Sequence, residues 1–122
     1  MQRIWQFLKK LKPRQPGSAY TIVHDLSGLR LTLPGKIENE INWNDVKEVF
    51  VFKRDLYVVD QICMTFVTDQ YIIEINEEMV GWQELIQKLP DYLPGCKSFE
   101  AWFLDVIQPA FETNLTKLYQ RN

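Results

Sequence analysis

The chain has 122 residues, a formal net charge of −2 at pH 7, 46% hydrophobic residues and 25% charged residues. These fractions describe one folded domain and exclude disorder as the main state, because seven Phe, five Tyr and four Trp supply ample surface to bury. Five Gly and six Pro are scattered along the chain, which excludes collagen-like and low-complexity classes, and the length excludes a multidomain enzyme.

The first segment stands apart in charge. Of fourteen Lys and Arg, five (Arg3, Lys9, Lys10, Lys12 and Arg14) fall in residues 1–14 with no acid, which leaves nine bases against sixteen acids in the remainder, a formal charge of −7. Ile4, Trp5, Leu8 and Leu11 recur at helical spacing, so residues 1–14 are expected to form a basic amphipathic helix. Such a helix is marginal alone in water, so its apolar face needs a cover: its own sheet, a partner or second copy of the chain, or an anionic membrane surface. Pro13, Pro16 and Gly17 break it, and residues 15–17 read as a linker to one domain spanning 18–122.

Beyond the linker the period changes from helical to alternating. Residues 20–24 read as a strand and residues 25–28 as a turn, and Leu29, Leu31 and Leu33 alternate with Arg30 and Thr32 as a half-buried strand closed by Pro34 and Gly35. Ile41 and Trp43 precede a turn or single helical turn at Asn44 and Asp45. Residues 46–53 form a third long strand, with Phe50 and Phe52 on one face and Val49 and Val51 on the other; apolar on both sides, it belongs mid-sheet or between layers. Residues 62–68 and 71–75 make the next strand pair.

The last third reads as helical. Asn76 is the expected N-cap, with Glu77 and Glu78 in the first turn; Trp82, Leu85, Ile86 and Leu89 form the apolar stripe, and Pro90 ends the run. Ser98 is expected to cap a second helix with Trp102, Phe103, Val106 and Ile107 inward. Pro109 should kink or split it, and a final helical stretch through Phe111, Leu115 and Leu118 is expected to close the chain. Strands first and helices after predict an α+β fold, with an antiparallel sheet of five to seven strands followed by two or three C-terminal helices.

Catalytic and cofactor motifs are sparse. His24 and Asp25 are adjacent on a strand and so point to opposite faces, which does not suit one metal. No Gly-x-Ser-x-Gly elbow, phosphate loop or dinucleotide fingerprint occurs. Cys63 stands in an apolar strand pattern and is expected to be a buried free thiol, whereas Cys96 falls in an exposed loop beside Lys97. Glu74, Glu77 and Glu78 cluster at a strand-to-helix junction, more as a solvated helix start than as an acid–base pair. The acidic body argues against nucleic acid. Lys53, Arg54 and Asp55, with Asp60 shortly after, are the expected partner or headgroup contact, together with Trp43 as a partly exposed aromatic. Trp82 and Trp102 are expected to fill the core.

No apolar run approaches the roughly 18 to 20 residues of a bilayer span. The first ten residues lack the apolar stretch and small-residue cleavage site of a secretory signal, so a cytoplasmic protein is expected, with peripheral contact at the inner membrane face as the variant that residues 1–14 suggest.

The stretch Ile41-Asn-Trp-Asn-Asp-Val-Lys-Glu-Val resembles the "hydrophobic, x, Trp, x, Asp, Ile/Val, two polar, Ile/Val" element of bacterial pleckstrin-homology-like domains. Lys53-Arg54-Asp55, Gly81-Trp82, Leu93-Pro94-Gly95 and the run from Pro109 to Asn114 are similar to small bacterial single-domain proteins. That resemblance covers about residues 18–120 and implies a curved antiparallel sheet capped by helix, in a family that mostly binds peptides, proteins or lipid headgroups. It supplies no catalytic residue. The expected function is a non-enzymatic interaction module (an adaptor, inhibitor or immunity-type protein) without metal or cofactor. Its expected partner is a protein, and a homodimer is compatible. The alternative is a peripheral membrane protein anchored by Ile4, Trp5, Leu8 and Leu11, with Lys9 and Lys10 toward the headgroups.

Overall fold

The computed structural model describes residues 20–55, 59–108 and 114–122. The expected helix at 1–14, the linker at 15–17, Pro109 and Phe111 lie outside the described residues. The fold is α+β, and its strands are antiparallel in both sheets. Strand β1 (Thr21–His24), β2 (Gly28–Leu33) and β3 (Lys36–Asn42) form a three-stranded sheet in sequence order. A 3-10 turn at Trp43–Asp45 leads into β4 (Glu48–Asp55), β5 (Asp60–Val67) and β6 (Ile72–Asn76). Two helices follow, α1 (Trp82–Tyr92) and α2 (Phe99–Ile107), and then β7 (Thr116–Gln120). The second sheet has the order β6-β5-β4-β7.

Two antiparallel sheets thus replace the single sheet expected from sequence, and the helices lie between β6 and β7 rather than at the C-terminus. Strand β3 escaped notice because Ile41 is its one fully buried side chain. The stretch expected as a last helix through Leu115 and Leu118 is strand β7. Its backbone completes the ladder on the free side of β4, pairing Val49 with Tyr119 and Val51 with Thr116, while Leu118 is its buried residue. A strand that pairs a central strand satisfies donors and acceptors that a helix would leave open.

The helix boundaries also differ. Asn76 ends β6 and turns the chain, its Oδ1 accepting from the Glu78 amide at 3.0 Å, so Glu77 and Glu78 precede the helix instead of opening it. Helix α1 starts behind Gly81, which has φ of 96° and lies so near β1 that a Cβ there would stand 2.5 Å from the Ile22 carbonyl oxygen. Only glycine meets both demands. Pro90 does not stop α1: the helix runs to Tyr92 and the Leu93 amide closes on the Leu89 carbonyl at 2.9 Å. The lost donor falls in the last turns, where burial of Leu89 and Leu93 offsets it.

The main core lies between the facing sides of the two sheets and the two helices. It gathers Leu29, Leu31 and Ile41 from the first sheet, Val49, Val51, Met64 and Phe66 from the second, and Leu85, Trp102 and Val106 from the helices. The sheets join where β1 meets the turn after β6: Ile22 N–H donates to the Val80 carbonyl at 2.7 Å, and Val80 N–H donates to the Tyr20 carbonyl at 3.2 Å.

The C-terminus is clasped onto this frame. Arg121 Nε donates to the Val46 carbonyl and Nη2 to the Trp43 carbonyl, both at 2.9 Å, while its backbone N–H reaches the Lys47 carbonyl at 2.8 Å. Arg121→Ala removes the charged donor from two carbonyls, and the expected loss is about 1–3 kcal/mol of unfolding free energy. A lower urea midpoint at unchanged slope is the readout.

Candidate functional site

Neighbouring strand residues face opposite ways, and this separates the cluster that sequence placed together. Lys53 points inward with Val49 and Val51, whereas Arg54 points outward with Phe50 and Phe52. The inward ammonium is 2% exposed; it lies 3.4 Å from Asp60 Oδ2 and donates to the Ile107 carbonyl at 3.0 Å. That carbonyl belongs to the last residue of α2, the negative end of the helix dipole, so the buried cation meets both a carboxylate and a helix terminus.

The outward guanidinium is held as firmly. Arg54 donates from Nη1 and Nη2 to the two carboxylate oxygens of Glu74 at 2.8 and 2.7 Å, crossing β5 to do so. This bidentate bond raises the Arg54 pKa. Asp55 is exposed at the end of β4. The Lys53-Arg54 pair is therefore not a solvated basic patch. Arg54→Met would leave the Glu74 carboxylate buried without its guanidinium, with an expected cost of about 3–5 kcal/mol. The double variant Arg54→Met/Glu74→Leu should recover most of it in the same urea titration.

Two other expectations are corrected. Trp43 is 4% exposed rather than partly exposed: its Nε1 donates to the Asp25 carbonyl at 2.7 Å and its ring stacks on Tyr92 at 5.0 Å. The polar neighbours Asn42 and Asn44 face water while the 3-10 turn directs the indole inward. Cys96 is buried, not exposed, and burial pushes its thiol up to about 12. Cys63 is a buried free thiol, raised further still by burial and by the neighbouring Glu74 carboxylate. His24 Nδ1 lies 2.7 Å from the Tyr92 hydroxyl, and burial raises the Tyr92 pKa. Asp25 instead accepts from the Ser27 and Gly28 amides, bonds that lower its pKa and lock the β1–β2 turn.

A half-open cleft that joins charged and aromatic side chains lies beside Lys53, with a volume of about 540 Å³. The Lys53–Asp60 pair and Ile62 form its base. One wall is aromatic and comes from α2, with the rings of Phe99 and Phe103 4.7 Å apart and Phe99 edge-on to Trp102 at 5.2 Å. Glu77 and Glu78, on the turn between β6 and α1, and Trp82 at the first turn of α1 also line the cleft. Trp82 and Trp102 fill the core as expected while also lining the cleft. Phe99 and Phe103 are half-buried, apolar surface left open beside carboxylates. This arrangement suits a ligand with a cationic group and an apolar body: the carboxylates attract the charge and the rings stack on the rest.

From sequence, Glu77 and Glu78 read more as a solvated helix start than as an acid–base or cation site, and Phe103 reads as inward, which its packing against the core bears out. The signal for the rings of the cleft lay in α2 itself. Trp102 and Val106 are the buried residues of α2, and Phe99 and Phe103, four residues apart, pack against the core from its edge with part of each ring left open.

Burial raises the Glu77 pKa above its ordinary value of 4.5, with Glu78 adding to the shift and a backbone bond from Ile62 opposing it. A carboxyl raised in this way keeps its proton in the folded state at a pH where the unfolded chain has released it, so stability falls as pH rises through the raised value. Glu77→Gln is expected to flatten that decline, seen as a smaller change in urea midpoint between about pH 4 and pH 7 than in the wild type.

Among the described residues no group of three or more His, Cys, Asp and Glu side chains is placed to hold a metal ion, and no helix is long and apolar enough to cross a membrane. No family model, no curated protein and no solved structure matches the chain.

Proposed function

We propose that this protein is a non-enzymatic interaction module whose α2 cleft receives a basic, apolar segment of a protein partner. The observation that carries this reading is that half-buried aromatic rings, Phe99 and Phe103, and the carboxylates Glu77 and Glu78 line one cleft. Aromatic anchors with a charged rim are the common makeup of a small interface, the rings supplying most of the energy and the rim charges the steering. The body of the chain, with its formal charge of −7, favours approach of a basic partner over longer range.

The base of the cleft supports binding over turnover. Lys53 is engaged by Asp60 and by the end of α2, and both cysteine thiols are buried and raised, so neither is poised as a nucleophile. Such a module would act by occupying or presenting its partner, as an adaptor, inhibitor or immunity-type protein does.

The test is capture from host lysate with the tagged full chain and two cleft variants, Phe103→Asp and Glu77→Lys/Glu78→Lys. A partner held by the wild type, weakened by added salt and bound at least tenfold more weakly by both variants supports the reading; that factor is about 1.4 kcal/mol. A partner held equally by all three places the interface elsewhere and sinks it. Recovery with anionic membranes, lost in Trp5→Ser/Leu8→Ser, would favour the peripheral anchor instead.

A further inference from the structure

We propose that the anchor selected by the α2 cleft is an arginine side chain of the partner segment, flanked by an apolar residue, and that lysine does not replace it. This inference rests on the cleft being the binding site and adds which side chain the cleft reads.

The register of the strands places the charges. Lys53 pairs with Ile62 across β4 and β5, and Glu77 N–H donates to the Ile62 carbonyl at 3.0 Å. Lys53, Ile62 and Glu77 therefore stand in one row across the end of the sheet, with the backbone of Glu77 about 10 Å, or two strand spacings, from that of Lys53. Among the described residues that line the cleft, Lys53 is the one cation, and Asp60 lies 3.4 Å from its ammonium. Glu77 and Glu78 thus make the other end of the row negative. Helix α2 adds Glu100 and Asp105, both exposed, and carries no base. Leu104, 63% exposed, follows Phe103 and extends the apolar surface beyond the cleft. A cationic side chain with an apolar neighbour complements both features.

Shape and hydration decide between arginine and lysine. Phe99 and Phe103 are half-buried, with their rings 4.7 Å apart and tilted 38° to each other, so they present ring surface that a flat group can cover. A guanidinium is planar and weakly hydrated, and its edge is a fan of N–H donors, so it can lie on a ring while bonding a carboxylate. The lysine ammonium is a strongly hydrated point charge with no flat face, and it gains less at a ring-lined site. The protein makes the same pairing elsewhere: Arg54 lies 5.5 Å from the centroid of the Phe52 ring while it holds both carboxylate oxygens of Glu74. In the cleft the chain supplies rings and carboxylates, and the partner supplies the guanidinium. The cleft volume of about 540 Å³ accommodates one such side chain with its neighbour.

The test is an NMR titration of the isotope-labelled full chain. It follows the indole N–H signals of Trp82 and Trp102, which line the cleft, with Trp43, which stacks on Tyr92, as the internal reference. The probes are acetyl-Phe-Arg-amide, acetyl-Phe-Lys-amide, the uncharged citrulline counterpart, and free arginine. The arginine peptide should shift the Trp82 and Trp102 signals with a dissociation constant at least about fivefold below those of the other three. Glu77→Gln/Glu78→Gln, a change of two exposed side chains, should abolish that preference. Equal affinity for the arginine and lysine peptides overturns the inference, while the cleft remains a site for a basic segment. Citrulline binding as tightly as arginine overturns it, because charge then plays no part. Free arginine binding as tightly as the peptide gives the cleft to a small molecule and overturns it as well. A preference that survives Glu77→Gln/Glu78→Gln, or shifts confined to Trp43, places the arginine elsewhere and has the same force. No shift with any probe also overturns the arginine anchor; a lysate partner lost by Phe103→Asp and Glu77→Lys/Glu78→Lys would still uphold the broader reading of the cleft.

Discussion

Strand β4 sets the terms for the rest of the structure. Its residues alternate Val49, Phe50, Val51 and Phe52, apolar on both sides, so the strand has no face that tolerates water. It therefore lies inside the sheet, with β5 on one flank and β7 on the other. The inner side supplies the valines to the core shared with β1–β3 and both helices. The outer side carries Phe50 and Phe52, which are buried as well.

The polar groups drawn in with β4 are managed by pairing. Lys53 and Arg54, adjacent in sequence, enter opposite sides of the sheet, where each finds a carboxylate, Asp60 of β5 for the first and Glu74 of β6 for the second. Burying either charge unpaired would cost more than most single contacts return. Lys53 gains a second partner at the end of α2, which ties the helix to the strand beneath it and fixes one boundary of the cleft. The same contact that satisfies a buried cation thus shapes the surface to which a binding role is assigned. The aromatic wall of that cleft comes from α2, where Phe99 and Phe103 pack against the core yet stay half-buried.

The turn after β6 connects three functions of the fold. Asn76 folds it, Val80 bonds it to β1 and so joins the sheets, and Gly81 lets α1 start in direct contact with Ile22. Glu77 and Glu78, held at this junction, are displayed on a rigid corner instead of a fraying helix end. Their value as a charged rim depends on that rigidity, because a preformed site loses less entropy on binding.

Much of this was legible in the linear chain because its period is strong. The turn at residues 25–28, the strands β1, β2 and β4–β6, the apolar stripe of α1 and the central role of β4 all follow from alternation, helical spacing and turn chemistry, which are local properties. Strand β7 and its approach, by contrast, place Leu115 and Leu118 three apart and read as helix; β7 is a strand because β4, 65 to 72 residues away, offers it an open ladder. Pro90 survives inside α1 and Trp43 turns inward for the same reason, tertiary burial outweighing local preference. Charged residues are the least legible, since Lys53 and Arg54 look identical in sequence and part company only when the strand is laid down. The chain alone determined its fold class, its central strand and its basic arm. Which carboxylate each buried cation meets, and which rings stand open beside Glu77 and Glu78, only the folded structure decided, because those pairings join positions far apart in sequence.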